Sequence, residues 1–430
     1  MATIDERRTS LLAALAARAG VHYGWLVIGV TFCVVLAAAG IRALPGVVIK
    51  PLEAEFGWDR ATISLAVALS LVAYGLAGPL SGRLIDQAGP RTIMLGALLL
   101  TALGALAMTV MSSLLELSLW WGLLVGLGTG SLAMVMGATV ASRWFVEKRG
   151  LAIGIVGAGS SAGQLVFIPL MMGVTLMSGW RVAVGLGAVI LLVVLLPLVF
   201  LVMRNQPAEL GLTPYGSRPD TVVGAPLSGP LTSIVEALRT ADFWLLAGSF
   251  FVCGFTSNGL IGTHLIPHAI EHGFTENTAA WILGLLGAMN VVGTTISGYL
   301  TDRFNARRLL AAYYAFRAAS LLMLPSVTDV GGLTLFAIVF GLDYIATVPP
   351  TVALTADRFG RRSVGSIFGW IFLSHQVGAG AASFFGGVVR VWLGDYNVAF
   401  LAAGALGFVA AALSLRIATR PLPAPAPATA

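Results

Sequence analysis

Charged residues are scarce in this chain of 430 residues, in which Asp, Glu, Lys and Arg make up 10% and apolar residues 57%. A soluble domain carries about a quarter of its residues as charges. The shortage therefore excludes an ordinary soluble fold. The apolar runs are about 20 residues or longer, which at 1.5 Å per residue is enough to span a hydrocarbon core of roughly 30 Å. The composition thus predicts an all-α integral membrane protein.

Cysteines and catalytic motifs are also few. The two cysteines, Cys33 and Cys253, lie within apolar runs, so a disulfide framework is not expected. The sequence has no HExxH motif or Cys/His metal spacing. We therefore expect no enzyme activity, no metal site and no cofactor. The net charge of +6 comes from arginines in short loops without interleaved aromatic residues, which argues against nucleic acid as a partner.

The apolar runs predict twelve transmembrane helices, α1 to α12. Their approximate ranges are 22–48, 59–82, 91–112, 116–141, 150–173, 180–203, 243–270, 278–300, 307–327, 332–356, 364–390 and 396–418. A connection rich in Pro, Gly and Ser, 204–242, is predicted to be a linker between two six-helix bundles at 22–203 and 243–418. We expect residues 1–21 to form an N-terminal segment and the Pro/Ala-rich residues 419–430 a disordered tail.

Basic residues are distributed unequally between the two ends of these helices. Lys and Arg at the N-terminus and after every even-numbered helix number 19, against four on the opposite side, Lys50, Arg60, Arg181 and Arg390. Cytoplasmic loops carry such an excess. We therefore predict that both termini and the linker are cytoplasmic, and we expect the membrane to be a bacterial inner membrane.

The two halves of the chain repeat each other. SGRLIDQAGPRTIML at 81–95 matches SGYLTDRFNARRLL at 297–310, and RGLAIG at 149–154 matches VGSIFG at 364–369. The two offsets, 216 and 215 residues, nearly agree and indicate an internal duplication. Two bundles related by an axis along the membrane normal predict a central cavity and alternating access by rocking of the bundles.

The repeated loops place Asp86 over Asp302 and Arg91 over Arg307. A carboxylate here can cap a facing helix and pair with a loop arginine. We predict that these four residues form a cytoplasmic gate, while a role in folding and topology alone stays open.

The loop Gly82-x-x-x-Asp86-x-x-Gly89-x-Arg91 resembles the signature loop of the major facilitator superfamily. Further phrases along nearly the whole chain resemble the monocarboxylate transporter branch of that superfamily. These are Gly24-Trp25, Phe56-Gly57-Trp58, Arg143-Trp144-Phe145, QPAELGL at 206–212 and Asp357-Arg358-Phe359-Gly360. The resemblance implies transport of an organic monocarboxylate by two pseudo-symmetric six-helix bundles, and we expect a single chain to be the functional unit.

One carboxylate lies deep inside a predicted helix. Asp343 in α10 is 14 residues, roughly 21 Å, from Asp357 at the end of that helix. The same counting places Arg317 in α9 and His375 in α11 at a similar depth. Because an ionisable side chain at bilayer depth is costly, it usually serves a function. We predict that these three residues couple transport to protons, although a static Arg317–Asp343 pair that only joins two helices remains open.

Arg42 is a candidate for binding a substrate carboxylate. It lies 20 residues beyond His22, roughly 30 Å along α1, and so is expected toward the outer end of that helix. The family resemblance implies a functional lysine near this point, where this chain has Ala43 with Arg42 beside it. The planar guanidinium suits a carboxylate, but the side chain can equally extend to the outer interface. Both interpretations stay open.

The resemblance also implies an Asp and an Arg four residues apart on α8, where this chain has Asn290 and Thr294. The two side chains share a face and can hydrogen-bond a substrate, but neither is positively charged. Further candidates for lining the cavity are Asn258 and His264 on α7, Tyr344 on α10 and Gln376 on α11. The few polar residues of α4 predict a partly apolar pocket, which favours an organic anion with a hydrocarbon part.

These patterns together predict proton-coupled symport of a small organic monocarboxylate. Export of a small amphipathic compound in exchange for protons would use the same machinery in the other direction, and it remains the alternative.

Overall fold

The computed structural model describes residues 18, 20–217, 233–301, 303–360 and 363–418. The predicted tail at 419–430, most of the N-terminal segment at 1–21 and the centre of the predicted linker lie outside these ranges.

Twelve long helical spans cross the described part of the chain. They are α1 Tyr23–Phe56, α2 and α3 within Arg60–Thr109, α4 Leu114–Trp144, α5 Arg149–Ser178, α6 Trp180–Val202, α7 Ala241–Glu271, α8 Glu276–Thr301, α9 Ala306–Met323, α10 Val330–Phe359, α11 Val364–Leu393 and α12 Asn397–Leu415. Eleven of these spans have the length and hydropathy of a membrane helix, and α11 has 30 residues. The prediction of an all-α membrane fold is confirmed.

Helix α1 is longer than the sequence indicates and is interrupted near its middle. One segment ends at Arg42 and a second begins at Pro45, whose missing N–H suits the first turn of a helix. The prediction that α1 ends near residue 48 is wrong, because the second segment continues to Phe56. Arg42 therefore lies 14 residues, roughly 21 Å, from the far end of α1, near the middle of this helical span rather than at its end.

Helix α10 is interrupted in the same way. Its first segment ends at Asp343 and its second begins at Val348. Proline at 350 has no N–H to offer the carbonyl of Ala346 four residues earlier, so that carbonyl needs another donor. Ser297 of α8 supplies it, with its Oγ 2.5 Å from the Ala346 oxygen. The interruption at 344–347 consequently exposes polar backbone groups inside the bundle.

The turn between α2 and α3 explains one glycine of the repeated loop. Gly89 has φ 81° and ψ 156°, a conformation that disfavours residues with a Cβ. A Cβ at this position would also lie 2.2 Å from Oδ1 of Asn205, which accepts a hydrogen bond from the Arg91 backbone N–H at 3.0 Å. Asn205, three residues after the end of α6, thus closes the turn between α2 and α3.

In the described part of the chain the bundles meet along α2 with α11, α5 with α8 and α1 with α7. Glycines allow the close approach of α2 and α11: a Cβ at Gly387 would lie 2.9 Å from the carbonyl oxygen of Arg60, and one at Gly380 would lie 3.0 Å from that of Ala68. Farther along, Gln376 of α11 packs on Gly75 of α2. These contacts run from the start of α2 to the middle of the membrane.

Candidate functional site

A fully buried ion pair lies at the interruption of α10. The Nε of Arg317 on α9 is 2.6 Å from Oδ2 of Asp343, and the two side chains are 0% and 1% exposed. The Nη2 of Arg317 donates to the carbonyl oxygens of Asp343 at 2.7 Å and Tyr344 at 3.0 Å, and Nη1 lies 3.0 Å from Sγ of Cys253. The guanidinium therefore holds both the carboxylate and the backbone of the interruption.

The second carboxylate oxygen of Asp343, Oδ1, is not held by a hydrogen bond from Arg317. Oδ1 of Asp343 is buried and has no hydrogen-bond partner among the residues that the structure describes. A buried acceptor without a donor is unfavourable and is open to protonation. The pair therefore combines one oxygen fixed by Arg317 with one oxygen available for a proton.

His375 does not join this pair through a described hydrogen bond. It is 6% exposed, its ring packs against Phe250 and Phe372, and its Nδ1 lies 3.2 Å from Nε2 of Gln376. Thus two of the three predicted proton-coupling residues are in contact, and the third lies on α11 among aromatic side chains.

A small cavity of about 40 Å³ lies between the bundles. Its lining includes Arg42, Val67, Leu71, Gln164 and Ile168 from the N-terminal bundle and Asn258, Thr263, Leu283 and Tyr344 from the C-terminal bundle. Both bundles thus contribute apolar and polar side chains. Three of the predicted substrate-binding residues, Arg42, Asn258 and Tyr344, line this cavity.

Arg42 gives this cavity its positive charge. The side chain is half-buried, and its Cζ lies 5.0 Å from the centre of the Tyr74 ring on α2. No residue in the described part of the chain accepts a hydrogen bond or forms an ion pair with its guanidinium. The five N–H donors of Arg42 are consequently available to a carboxylate.

Two further polar side chains of the cavity are Asn258 and Gln164. The hydroxyl of Tyr344 donates to Oδ1 of Asn258 at 3.0 Å, which joins α10 to α7. Gln164 on α5 is 6% exposed and was not singled out from the sequence. The available signal was the glutamine that ends the glycine-rich stretch GIVGAGSSAGQ of α5.

The remaining predicted substrate residues lie elsewhere. Asn290 is 2% exposed, and its Oδ1 accepts from the hydroxyl of Thr294 at 3.0 Å, one turn along the same face of α8. His264 is fully buried between α7 and α11, with Nε2 2.7 Å from the carbonyl oxygen of Ser383. Gln376 packs against Gly75 at the contact of α11 with α2. None of these four is among the described residues that line the cavity.

The model of the Major Facilitator Superfamily matches residues 30–382 and, in a second overlapping match, 251–430. The chain belongs to the major facilitator superfamily. It is 26% identical over 370 residues to YcxA, an uncharacterised transporter of this type from Bacillus subtilis (strain 168), with 84% of this chain and 87% of that one covered.

Other relatives include the monocarboxylate transporter branch of the superfamily. Monocarboxylate transporter 13 of Rattus norvegicus is 26% identical over 389 residues, which cover 89% of this chain and 86% of the relative. Among solved structures, the D-xylose–proton symporter superposes with a TM-score of 0.73 at 14% identity, covering 92% of this chain and 98% of that one. An inward-facing bacterial homologue of the lysosomal transporter Spinster gives 0.72 at 16% identity, with coverage of 91% and 96%.

The signature loops of the superfamily contact the last helix of their own bundle. Nη2 of Arg91 donates to the carbonyl oxygen of Phe200 on α6 at 2.6 Å, and Nη1 of Arg307 donates to that of Ile417 after α12 at 3.4 Å. Asp302 lies outside the described residues, and so does the side chain of Asp86. The gate formed by these carboxylates therefore stays a prediction.

A cluster of charges that the sequence did not reveal closes the opposite end of the bundles. Glu271 at the end of α7 is 2.6 Å from Lys50 of α1, 3.1 Å from Arg60 of α2 and 2.7 Å from Arg390 of α11. One carboxylate of the C-terminal bundle thus holds two cations of the other bundle. The signal was that three of the four basic residues on this side of the membrane, otherwise poor in charge, belong to the cluster.

Arg60 extends this charge cluster to α12. It forms a bidentate ion pair with Glu53, and its Nη1 donates to the hydroxyl of Tyr396. Arg60 is only 3% exposed. Burial raises the pKa of the Tyr396 hydroxyl, so it remains protonated beside this arginine. The cluster holds α1, α2, α7, α11 and α12 together at this end.

Replacing Glu271 by Gln is expected to open this end of the cavity. The amide removes the charge that three cations share, so their mutual repulsion favours separation of the bundles. We expect a cysteine introduced as Thr263→Cys to react about tenfold faster with an impermeant maleimide from this side, as a shift of ~1.4 kcal/mol in the opening equilibrium would produce. The exposed Glu276 on the same side provides the control, since Glu276→Gln should leave labelling unchanged. Equal labelling rates in both variants would contradict a gating role for Glu271.

Proposed function

We propose that the protein is a secondary transporter that moves an organic monocarboxylate together with protons by alternating access. The observation that carries this proposal is the half-buried guanidinium of Arg42 in a cavity shared by both bundles, without an acceptor among the described residues. A desolvated carboxylate needs such a charged partner. The apolar side chains of Val67, Leu71, Ile168 and Leu283 suit the hydrocarbon part of the anion.

The buried Asp343–Arg317 pair supports the coupling to protons in this proposal. Asp343 can accept a proton on the oxygen that lacks a donor in the described structure, and the change of charge would alter its hold on Arg317. In the proposal, His375 on α11 modulates this pair from a neighbouring position. The similarity to monocarboxylate transporters 12 and 13 agrees with this class of substrate.

Several broader features belong to the same proposal. The termini and the basic loops lie in the cytoplasm of a bacterial cell, a single chain is the functional unit, and Asp86, Arg91, Asp302 and Arg307 act at the cytoplasmic gate. Export of an amphipathic compound against protons is the second candidate, and the largely apolar lining of the cavity favours it.

Uptake into proteoliposomes under an imposed pH gradient tests the proposal. We expect a radiolabelled monocarboxylate with an apolar chain to accumulate above its external concentration when the outside is acidic, and a protonophore to abolish this accumulation. Liposomes without protein are the control. Accumulation that a protonophore leaves unchanged would contradict proton coupling, and saturable transport of only uncharged or cationic compounds would contradict the substrate class.

A further inference from the structure

The interruption of α10 is held by side chains from neighbouring helices. Arg317 of α9 donates to the carbonyl oxygens of Asp343 and Tyr344, and Ser297 of α8 donates to that of Ala346. Between these carbonyls, the backbone N–H of Ile345 donates to Oδ1 of Asn290 at 3.1 Å. A rearrangement at Asp343 therefore affects the neighbouring backbone N–H of Ile345, which is bonded to Asn290.

Asn290 also reaches the other bundle. Its Nδ2 donates to Oγ of Ser161 on α5 at 2.7 Å, and the two residues are 2% and 6% exposed. Asn290 and Thr294 of α8 are uncharged. Gly287, one turn before Asn290, packs against the backbone of Ser161. Asn290 consequently joins the interruption beside Asp343 to the interface between the bundles.

We propose that Asn290 is a positioning residue that couples the protonation of Asp343 to the contact between the two bundles. This inference rests on the proposed function. When Asp343 gains a proton from water on Oδ1, Arg317 loses its ionic partner and relaxes its hold on the two carbonyls. The backbone at Ile345 then moves, Asn290 follows the Ile345 N–H that donates to its Oδ1, and the hydrogen bond from Asn290 to Ser161 weakens.

Several titratable groups surround Asp343, but the loss of its charge acts mainly on the ion pair with Arg317. From α9 they are Arg317, Tyr313 and Tyr314, and from α7 Cys253. From α8 the described side chains at the interruption are Asn290 and Ser297, which carry no charge. His375 of α11 lies near Arg317. Within the described residues, Arg317 is the charged group in contact with Asp343.

The hydrogen bonds of Asn290 distinguish this role from substrate binding. Its Oδ1 already accepts from Ile345 and Thr294, and its Nδ2 donates to Ser161. The amide faces the interface and is absent from the described lining of the cavity. A substrate would have to displace these contacts to reach it.

Spin-label distances between the bundles provide the test. Labels attached through Leu151→Cys on α5 and Tyr299→Cys on α8, both exposed positions, report separation of the bundles at the end that carries the basic loops. We expect the wild-type distance distribution to change between pH 5 and pH 8. Ser161→Ala, which keeps the Ile345–Asn290 bond, should reduce the amplitude of this change at least fivefold. A sample with only the native cysteines corrects for background labelling.

Transport provides the second readout. In Ser161→Ala and Asn290→Ala we expect the ratio of uphill uptake to counterflow of a labelled monocarboxylate to fall about tenfold, while its Kd stays within twofold. The double variant should be no worse than Asn290→Ala, because both changes remove the same bond. Thr295→Val is the control, since among the described residues this exposed hydroxyl bonds only to the carbonyl of Val291 in its own helix.

The possible results separate this inference from the function on which it rests. If neither the spin-label distances nor the uptake of the wild-type protein changes with pH, both the coupling role of Asn290 and the proposed function are contradicted. A wild type that responds to pH, with an equal response in Ser161→Ala, overturns the coupling role and leaves the proposed function standing. A large loss of affinity in Asn290→Ala at an unchanged coupling ratio also overturns it, because Asn290 would then belong to the substrate site.

Discussion

Replacing Asp343 by Asn is expected to abolish proton-driven accumulation of substrate while counterflow stays within about threefold of the wild type. The amide oxygen can keep a hydrogen bond from Nε of Arg317, so the two side chains stay in contact while the neutral amide mimics protonated Asp343. The amide cannot gain or lose a proton near neutral pH, so the gradient no longer drives transport. Uphill uptake and counterflow measured side by side in the same proteoliposomes check this result.

Asn is chosen over Ala because its amide can keep a hydrogen bond from Arg317, which alanine would remove. Either change leaves the arginine without its ionic partner, and breaking a buried ion pair costs about 3–5 kcal/mol. Asp329→Asn is a matched control, because this exposed carboxylate caps the first turn of the same helix and asparagine caps equally well. Undiminished uphill uptake in Asp343→Asn would reduce the Arg317 pair to a static connection between α9 and α10.

Local patterns predict the helices well because a membrane span requires a long apolar run regardless of its neighbours. The end of α1 shows where this argument fails. Lys50, Glu53 and Glu55 end the apolar run, yet the helix continues to Phe56. Their partners lie elsewhere, with Glu271 on α7 for Lys50 and Arg181 on α6 for Glu55. Charges that other helices neutralise cannot be recognised from the run itself.

The position of Arg42 changes with this correction. Counting from His22 to an end near residue 48 puts it at the outer surface, whereas the full length of α1 puts it near the middle of this helical span, beside the cavity. Depth along a helix, once its ends are known, follows from the sequence. Rotation about the helix does not, so the depth that His375 shares with Asp343 and Arg317 gave no indication that its ring packs against Phe250 and Phe372.

The family resemblance made Asn290 a candidate for binding the substrate. The reason was its position in α8, where the family pattern has a carboxylate. The amide instead has its acceptor and its donor engaged by Ile345 and Ser161. Both partners come from helices far away in sequence. Spacing within α8 predicted only the contact with Thr294, which lies four residues away on the same face.

Replacing Arg42 by Gln is expected to weaken substrate binding by about 10- to 100-fold at fixed pH. A charge-assisted hydrogen bond contributes about 1.5–3 kcal/mol, and the described residues provide no second cation in the cavity lining. Arg42→Lys should restore part of the affinity, because lysine keeps the charge but loses the planar pair of donors. Equilibrium binding of the radiolabelled monocarboxylate that gives the largest uptake, measured on purified protein in detergent, checks both variants.

Two further variants make the Arg42 result specific. Arg308→Gln removes an exposed charge at the start of α9, so its Kd should equal that of the wild type. Arg317→Gln should leave binding within a few fold and mainly impair uphill uptake, because Asp343 would lose its cationic partner and retain its proton. The reverse pattern, with wild-type binding in Arg42→Gln and none in Arg317→Gln, would exchange the two roles. The anion would then bind beside Asp343, and the carboxylates of the substrate and of Asp343 would compete for one buried arginine.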